Sequence, residues 1–425
     1  MKHFRDDQLV FLLCTPRSGS SLTTVMLQNH EEVYAAQEMW YLLSLADLQL
    51  APVRPYGGTG IIRQFYNGIV SEELFHRAAR SFGIEIYEGL LNLNGASKII
   101  DKSPRYYILL EFLDAVFPES KRIGLFRNPL SVAASYKKVN AFSGEAFSLI
   151  EDLKQPVPGM KIVDLTAGLF RYATYFKGET AYSYKIKYEE LVRQPEQQLS
   201  MLCEFIGIPY REGMEKYGNP VSEEKSDLFY SMGAGDPFLL NHTHAHVQSI
   251  DAWKDQLRPD EVDAYCRVLG AQIFHDLGYS EELEEAQRMT GVRYELSPDE
   301  ATIERIEEQF LKSSGYTWKP DYELSTSTSD TGSPLIEAVD GLELEAMQMN
   351  QISDHRQASI QIAQLETRVR LLENRLTKSY MEKNHIEKQL IQLRSKLDRI
   401  KSILPFGNRL STWAQGYLSG REGKS

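Results

Sequence analysis

Cysteine is scarce in this chain of 425 residues. The three that occur are Cys14, Cys203 and Cys266, and no two of them have the spacing of a disulfide framework or of a zinc-ligand pair. Each lies in apolar or helical surroundings. These observations argue against a disulfide-stabilised secreted domain. They predict buried free thiols in a reducing compartment, and therefore a cytoplasmic protein.

Long hydrophobic runs are also lacking. The longest apolar run near the N-terminus, Leu9–Cys14, is far shorter than the roughly 20 residues that a helix needs to span a bilayer. No signal peptide precedes this run. The sequence therefore predicts no transmembrane segment.

Positive charge is in deficit. The chain has 47 Lys and Arg residues against 59 Asp and Glu residues, which gives a formal net charge of −12. Nucleic-acid-binding proteins carry basic patches that neutralise phosphates. The balance of charge therefore argues against nucleic acid as a partner.

The ordinary nucleotide-triphosphate loop, G-x-x-x-x-G-K-[ST], is absent as well. Instead, the run Leu9–Cys14 predicts a buried strand that breaks at Thr15-Pro16, and a helical pattern begins near Leu22. A strand, a tight loop and a helix N-terminus form an anion site, because free backbone N–H groups and the helix dipole converge there. The loop residues that would serve such a site combine a cation, hydroxyl groups and a flexible backbone: Arg17, Ser18, Gly19, Ser20 and Ser21.

The hexapeptide Pro16–Ser21 resembles the loop P-[RK]-S-G-[ST]-[ST], which binds the 5′-phosphate in sulfotransferases that use 3′-phosphoadenosine 5′-phosphosulfate (PAPS). Further segments that resemble this family follow in the family's order, and the resemblance extends from Leu9 to Tyr279. It implies an α/β fold with a P-loop-type parallel sheet flanked by helices. It also implies PAPS as the sulfuryl donor.

A second strand–helix segment, Arg122–Tyr136, places Pro129 at a suitable first helical position. In the family this element binds the 3′-phosphate, and the resemblance assigns that task to Arg127 and Ser135. The chemistry is reasonable, because a guanidinium grips two phosphate oxygens while a hydroxyl holds the third.

Two more segments complete the resemblance. Tyr184–Glu196 resembles a strand followed by the motif Y-E-x-L-V-x-x-P, which places Tyr188 near the nucleotide; a purely structural tyrosine is the alternative. The region 236–254 resembles a loop that closes over the nucleotide. Which of its residues does so stays open.

The resemblance also implies the catalytic groups. Glu38 follows the helix after the phosphate loop and matches the glutamate that deprotonates the acceptor in the branch that includes tyrosylprotein sulfotransferases. Lys102, in the segment D-K-S-P, matches a lysine that stabilises the sulfonate charge, a task shared by Arg17. Two alternatives stay open: Glu38 as a helix cap or surface residue, and a local ion pair between Asp101 and Lys102.

A metal is not required by this chemistry, because arginine and lysine can cover the charge of a sulfuryl group. Three histidines alternate along one segment, but no cysteine or carboxylate lies at ligand spacing beside them: His242, His244 and His246. We interpret them as loop residues and predict no metal site.

The C-terminal part follows a different pattern. We assign residues 1–320 to the catalytic domain and 321–340 to a polar linker. From Ala358 onward, apolar residues recur in alternating steps of four and three, which predicts an α-helical coiled coil within 341–404 and hence a homo-oligomer. A single helix folded against the catalytic domain is the alternative. Residues 405–425 form a short amphipathic tail.

The sequence therefore favours a sulfotransferase that moves the sulfuryl group of PAPS to an acceptor hydroxyl, with a preference for a carbohydrate or glycan. One alternative is a P-loop kinase, against which the missing loop lysine argues. The other is a non-catalytic nucleotide-binding scaffold that carries the coiled coil.

A truncated chain tests the predicted coiled coil. A chain that ends near Tyr322 lacks every heptad position, so it should sediment as a smaller species than the full-length chain in analytical ultracentrifugation. Equal oligomeric states for the two chains would contradict the assembly role of residues 341–404.

Overall fold

Apolar runs form the strands of one parallel sheet. The strands are β1 (Leu9–Leu13), β2 (Val33–Ala35), β3 (Lys98–Lys102), β4 (Lys121–Phe126) and β5 (Ser183–Lys187). Their order is β2-β3-β1-β4-β5, and each neighbouring pair is parallel. The computed structural model describes residues 4–35, 38–50, 59–144, 146–216, 247–319 and 321–324. The predicted parallel sheet is confirmed.

Helices connect and cover these strands. The first half contains α1 (Ser20–Gln28), α2 (Tyr41–Leu50), α3 (Thr59–Gln64), α4 (Glu72–Asn94), α5 (Leu110–Val116), α6 (Pro129–Ser143), α7 (Leu149–Lys154), α8 (Met160–Leu165) and α9 (Ala167–Tyr175). The second half contains α10 (Tyr188–Arg193), α11 (Pro195–Ile206), α12 (Trp253–Gln256), α13 (Pro259–Leu269), α14 (Gln272–Asp276), α15 (Ser280–Thr290) and α16 (Glu300–Ser314). Shorter pieces are a π-helical segment, Phe65–Ile69, and 3₁₀ turns at Asp6–Gln8, Tyr106–Leu109 and Val247–Ser249.

The central strand β1 is apolar on both faces because helices cover both faces of the sheet. Val10 and Leu12 belong to one hydrophobic cluster, while Leu9, Phe11 and Leu13 belong to another. Side chains alternate between the two faces of a strand, so successive residues of β1 enter different core layers. This arrangement explains why the sequence shows a continuous apolar run here instead of an alternating pattern.

Proline and glycine set several helix ends. Pro129 occupies the first turn of α6, as expected, and the Asn128 side chain caps that helix by accepting a hydrogen bond from the Leu130 N–H. Pro195 likewise begins α11. The acidic stretch 280–314 forms two helices, because Gly291, with φ of 71°, ends the first of them.

These two acidic helices pack on the domain. Leu283 and Ala286 of α15 are buried, and so are Ile306 and Phe310 of α16. Within the described ranges, no helix is long and apolar enough to cross a membrane. The coiled coil predicted for 341–404, the tail at 405–425 and nearly all of the linker lie outside the described residues.

The strand order creates a crevice at the carboxyl edge of the sheet. After β1 the chain proceeds through α1 towards β2 on one side of the sheet, whereas after β4 it proceeds through α6 towards β5 on the other side. In open α/β sheets, ligands bind where such connections leave neighbouring strands in opposite directions. This switch point lies between the carboxyl ends of β1 and β4.

A buried carboxylate anchors the carboxyl end of β3. Asp101 is fully buried and accepts hydrogen bonds from the Tyr87 hydroxyl at 2.6 Å and the Tyr106 hydroxyl at 3.1 Å. Burial raises the pKa of Asp101 from 3.8 to about 6, although the two hydroxyl donors oppose the rise.

The raised pKa of Asp101 predicts a specific pH dependence of stability. The folded protein binds a proton at Asp101 more tightly than the unfolded chain, so this residue's contribution to stability is complete below about pH 4 and is lost as pH rises through about 6. The free energy of unfolding of the wild type, relative to Asp101→Asn, should therefore fall by up to about 3 kcal/mol over this interval.

Chemical denaturation at several pH values checks this difference. Asp255→Asn, at an exposed position, is the matched control and should follow the wild type at every pH. A constant difference between the wild type and Asp101→Asn would contradict the prediction.

Candidate active site

The loop after β1 has the backbone of an anion site. Gly19, with φ of 95°, is the N-cap of α1 and has no side chain with which to cap the first-turn N–H groups. Inside the loop, the hydroxyl groups of Thr15 and Ser18 lie 3.0 Å apart. The free end of a nine-residue helix therefore points at a short loop that also carries Arg17.

Arg17 is held in a left-handed conformation, with φ of 72°. Non-glycine residues rarely adopt this conformation, and the strain is typically found at functional sites. The Arg17 side chain donates from Nε to Ser135 Oγ over 3.2 Å, and its carbonyl accepts from Arg127 Nη1 over 3.0 Å. The residues predicted for the two phosphates therefore meet directly.

The Arg127 guanidinium lies at the switch point between β1 and β4. Besides its bond to the Arg17 carbonyl, it donates from Nη2 to the Ser249 carbonyl over 2.9 Å. Its Cζ lies 4.4 Å from the centre of the Tyr188 ring, and its buried Nε has no hydrogen-bond partner. A guanidinium whose Nε donor is unused, at this edge of the sheet, is suited to a further acceptor such as a phosphate oxygen.

Tyr188 contacts both the loop after β1 and Ser249, the residue that bonds to Arg127. A Cβ placed on Gly19 would lie 2.2 Å from Tyr188 Cδ2, so the ring packs directly on the loop backbone. The Tyr188 hydroxyl lies 2.7 Å from Ser249 Oγ. Within the described part of the segment 236–254, Ser249 is thus the residue that reaches both Arg127 and Tyr188.

Glu38 and Lys102 form an ion pair beside this cluster. Lys102 Nζ lies 3.2 Å from Glu38 Oε1; the lysine side chain is fully buried, whereas the glutamate side chain is 31% exposed. Lys102 pairs with Leu12 in the sheet register, which brings it to the start of the phosphate loop. Burial raises the pKa of neighbouring Cys14 to about 12, so this thiol is not reactive at neutral pH.

The alternative of a local Asp101–Lys102 ion pair is wrong. Consecutive residues of a strand point to opposite faces, so Asp101 faces Tyr87 and Tyr106 while Lys102 faces Glu38. The alternative of Glu38 as a helix cap or surface residue does not fit either. Its two carboxylate oxygens accept from side chains, Trp40 Nε1 and Lys102 Nζ, and its side chain is only 31% exposed.

Sequence reasoning missed two buried carboxylates that hold the site in place. Glu189, directly after Tyr188, accepts from the Asn128 N–H and from the Tyr279 hydroxyl, and thereby fixes the loop that carries Arg127. The signal was the glutamate of the motif Y-E-x-L-V-x-x-P, to which the resemblance assigned no role.

The second is Asp164, which is fully buried. It accepts two bonds from Arg105 Nε and one from Arg105 Nη2, together with the hydroxyl groups of Tyr107 and Tyr136. Because Tyr136 follows Ser135 on α6, this cluster ties α8 to the wall of the site. No local sequence pattern indicated the contact.

A separate cavity of about 680 Å³ lies between α2, α5 and the segment 315–324. None of the predicted site residues lines it, so it does not bear on the site at the switch point. Among the described residues, no group of three or more His, Cys, Asp or Glu side chains could hold a metal ion. His242, His244 and His246 lie outside the described residues.

The fold is that of an α/β protein with a parallel sheet, and this cluster of cations and hydroxyl groups is a candidate anion site at the sheet's carboxyl edge. Residues 9–212 match the model described as Sulfotransferase family. The nodulation protein NoeE of Sinorhizobium fredii is 26% identical over 295 residues, which cover 66% of this chain and 68% of the relative. Residues 9–212 therefore match the sulfotransferase family, whose general activity is sulfuryl transfer.

Two further proteins are similar at lower sequence identity. A putative protein-tyrosine sulfotransferase of Caenorhabditis briggsae is 23% identical over 273 residues, covering 62% of this chain and 89% of the relative. The sulfotransferase domain of the Synechococcus PCC 7002 olefin synthase is similar in structure with a TM-score of 0.40 and 23% identity, covering 60% of this chain and 92% of that domain.

Two glycine substitutions test the packing of the phosphate loop. Gly95→Ala places a side chain at φ of 61° with no atom within 4 Å, so it should cost about 1 kcal/mol from backbone strain alone. Gly19→Ala adds a clash with Tyr188 and should cost clearly more. Urea denaturation of both variants measures the difference, and equal losses would show that the Tyr188 ring does not rest on the loop.

Proposed function

We propose that residues 9–279 form a PAPS-dependent sulfotransferase domain. The observation that carries the proposal is the direct contact between the two strand ends, in which Arg127 Nη1 donates to the Arg17 carbonyl over 3.0 Å. An adenosine bisphosphate has phosphates on its 3′ and 5′ oxygens, and a pair of neighbouring anion sites suits such a ligand. The Arg17–Ser135 bond further links the residues proposed for the two phosphates.

In this proposal the 5′-phosphate binds at the N-terminus of α1. Its partners are the first-turn N–H groups and the loop residues Arg17, Ser18, Gly19, Ser20 and Ser21. The 3′-phosphate binds Arg127 and Ser135, and Tyr188 contacts the nucleotide. Arg127 would exchange its bonds to backbone carbonyls for bonds to phosphate oxygens, which form stronger charge-assisted hydrogen bonds.

Glu38 is the proposed general base. Its partly exposed carboxylate takes the proton of the acceptor hydroxyl as the acceptor oxygen bonds to sulfur and the bond from sulfur to the phosphate oxygen breaks. The departing phosphate oxygen keeps the electron pair, and Lys102 and Arg17 stabilise its charge. Lys102 is buried next to the start of the phosphate loop, where water competes little with this interaction.

The proposed acceptor is a hydroxyl compound, with a preference for a carbohydrate or glycan. Two aromatic side chains near α3 and α4 are about half exposed, Phe65 at 48% and Phe82 at 50%. Aromatic surfaces of this kind are common in ligand sites and would suit the apolar face of a sugar ring.

An extract assay tests the reaction and the acceptor class together. The protein is incubated with ³⁵S-labelled PAPS and an extract of host cells, and the labelled product is treated with glycosidases or proteases. We expect PAPS-dependent label that glycosidases release and proteases do not. Release by proteases alone would indicate a protein acceptor. In a parallel incubation with γ-³²P-labelled ATP and Mg²⁺ and without PAPS, transfer of ³²P would indicate the kinase alternative.

Paired substitutions separate the base from the nucleotide site. Glu38→Gln should lower the rate of transfer by about 10²–10⁴-fold and leave the Kd for adenosine 3′,5′-bisphosphate (PAP) nearly unchanged. Arg127→Ala should raise that Kd by about ten- to a hundredfold, because it removes charge-assisted hydrogen bonds. Steady-state kinetics and isothermal titration calorimetry measure the two effects.

Matched controls for this pair come from α4. Glu85→Gln and Arg77→Ala change exposed residues on that helix and should preserve both the rate and the Kd. Normal turnover by Glu38→Gln would remove Glu38 from the mechanism. PAP binding without any transfer by the wild type would favour the scaffold alternative.

A further inference from the structure

Trp40 has a left-handed backbone, with φ of 57°. Bulky side chains rarely adopt this conformation, because Cβ approaches the following carbonyl oxygen. In the described part of the chain, Arg17 is the other non-glycine residue with positive φ. Arg17 lies in the loop after β1 and Trp40 contacts Glu38, so both belong to the candidate active site, where such strain tends to be retained for function.

Bonds to two neighbouring elements hold Trp40 in this conformation. Its backbone N–H donates to Ser103 Oγ over 3.3 Å, directly after β3. Its carbonyl accepts from the Ser44 N–H over 3.1 Å and so starts α2. Both backbone polar groups of Trp40 are therefore satisfied by elements that also frame the site.

The left-handed turn brings the indole back to Glu38. Trp40 Nε1 donates to Glu38 Oε2 over 3.1 Å, while Lys102 Nζ donates to Glu38 Oε1 over 3.2 Å. In a helix, side chains two residues apart do not face each other, so a helical Trp40 would not make this contact. Each carboxylate oxygen of Glu38 thus has its own donor.

We propose that Trp40 is a positioning residue for Glu38, an inference that rests on the proposed role of Glu38 as the base. Lys102 is needed elsewhere during transfer, where it stabilises the charge on the sulfuryl group and the departing phosphate. When Lys102 leaves Oε1, the indole N–H still holds Oε2 and prevents rotation of the carboxylate. Oε1 is then the atom that faces the acceptor hydroxyl and takes its proton.

The Trp40→Phe variant tests this role, because it keeps an aromatic ring and removes the N–H donor. We expect kcat to fall by about ten- to a hundredfold, the usual effect of losing a hydrogen bond to a charged group. The KM for PAPS and the Kd for PAP should stay within about twofold, since positioning of the base acts on the transition state. The rate is followed as release of labelled sulfate from PAPS to water and as labelling of the extract acceptor.

Trp318→Phe is a matched control. Trp318 also donates its indole N–H to a glutamate, Glu307, but in the segment after α16 and away from the predicted site residues. This variant loses the same type of bond and should keep the wild-type kcat.

A double variant separates positioning from a merely structural effect. If Trp40 acts through Glu38, then Trp40→Phe in the Glu38→Gln background should cause little further loss of rate. Independent, multiplicative losses would overturn the proposal, and so would a wild-type kcat for Trp40→Phe.

Replacement of Trp40 by 3-benzothienylalanine covers the case in which Trp40→Phe does not fold. This side chain has the outline of tryptophan without the N–H, so a tenfold loss of kcat supports the proposal and an unchanged kcat refutes it. The role of Glu38 as the base can fail separately from the role of Trp40. If Glu38→Gln turns over normally, the base assignment is wrong, and the role of Trp40 is wrong with it. If Glu38→Gln is inactive and the Trp40 variants have normal rates, only the role of Trp40 is wrong.

Discussion

The contact between Arg127 and the Arg17 carbonyl is the constraint around which the site is built. It joins the carboxyl ends of β1 and β4 at the point where their connections diverge, and it requires the parallel register of the two strands. Around it, three cations lie close together in a chain of net charge −12: Arg17, Arg127 and Lys102. Arg17 bonds to a serine hydroxyl, Arg127 contacts two backbone carbonyls and a tyrosine ring, and Lys102 pairs with a glutamate. A bound polyanion would replace most of these partners without moving the strands that hold them.

Rigidity at the site comes from buried carboxylates outside it. Asp101, Asp164 and Glu189 are all nearly or fully buried, and each accepts hydrogen bonds from tyrosine hydroxyl groups. Removing a carboxylate from water is costly unless its lone pairs are satisfied, so such clusters tolerate little rearrangement. Asp101 holds β3, which carries Lys102. Asp164 ties α8 to α6, which carries Ser135, and Glu189 holds the loop before α6, which carries Arg127. The tyrosines that bond to these carboxylates all belong to the same hydrophobic cluster as Phe11, so the frame that supports the site lies in that core layer.

Local strain is concentrated at the same place. Arg17 and Trp40 adopt conformations that their side chains disfavour, and Gly19 has a conformation that only glycine adopts easily. In each case a contact with another element compensates. Arg127 Nη1 donates to the Arg17 carbonyl, the Trp40 N–H donates to Ser103 Oγ, and the Tyr188 ring packs on Gly19. Strained backbone persists only where surrounding contacts determine it, so these residues mark where packing prevails over local preference.

The sequence by itself determined several secondary-structure elements, including the strand, turn and helix start that border the candidate site. The run Leu9–Leu13, the glycine at 19 and the proline at 129 each express a local preference for strand, left-handed turn or helix start, so they predict β1, the turn after it and the start of α6 correctly. Only the tertiary structure decided the partners. Lys102 pairs with Glu38 instead of Asp101 because strand alternation separates adjacent side chains, and Ser135 meets Arg17 because two distant strand ends adjoin. The bond from Trp40 to Glu38 depends on a left-handed tryptophan that no local propensity favours. This conformation is imposed by two backbone bonds: the Trp40 N–H donates to Ser103 Oγ, and the Trp40 carbonyl accepts from Ser44 of α2. Pairings between residues far apart in the chain follow from the sheet order, and that order is a property of the whole core.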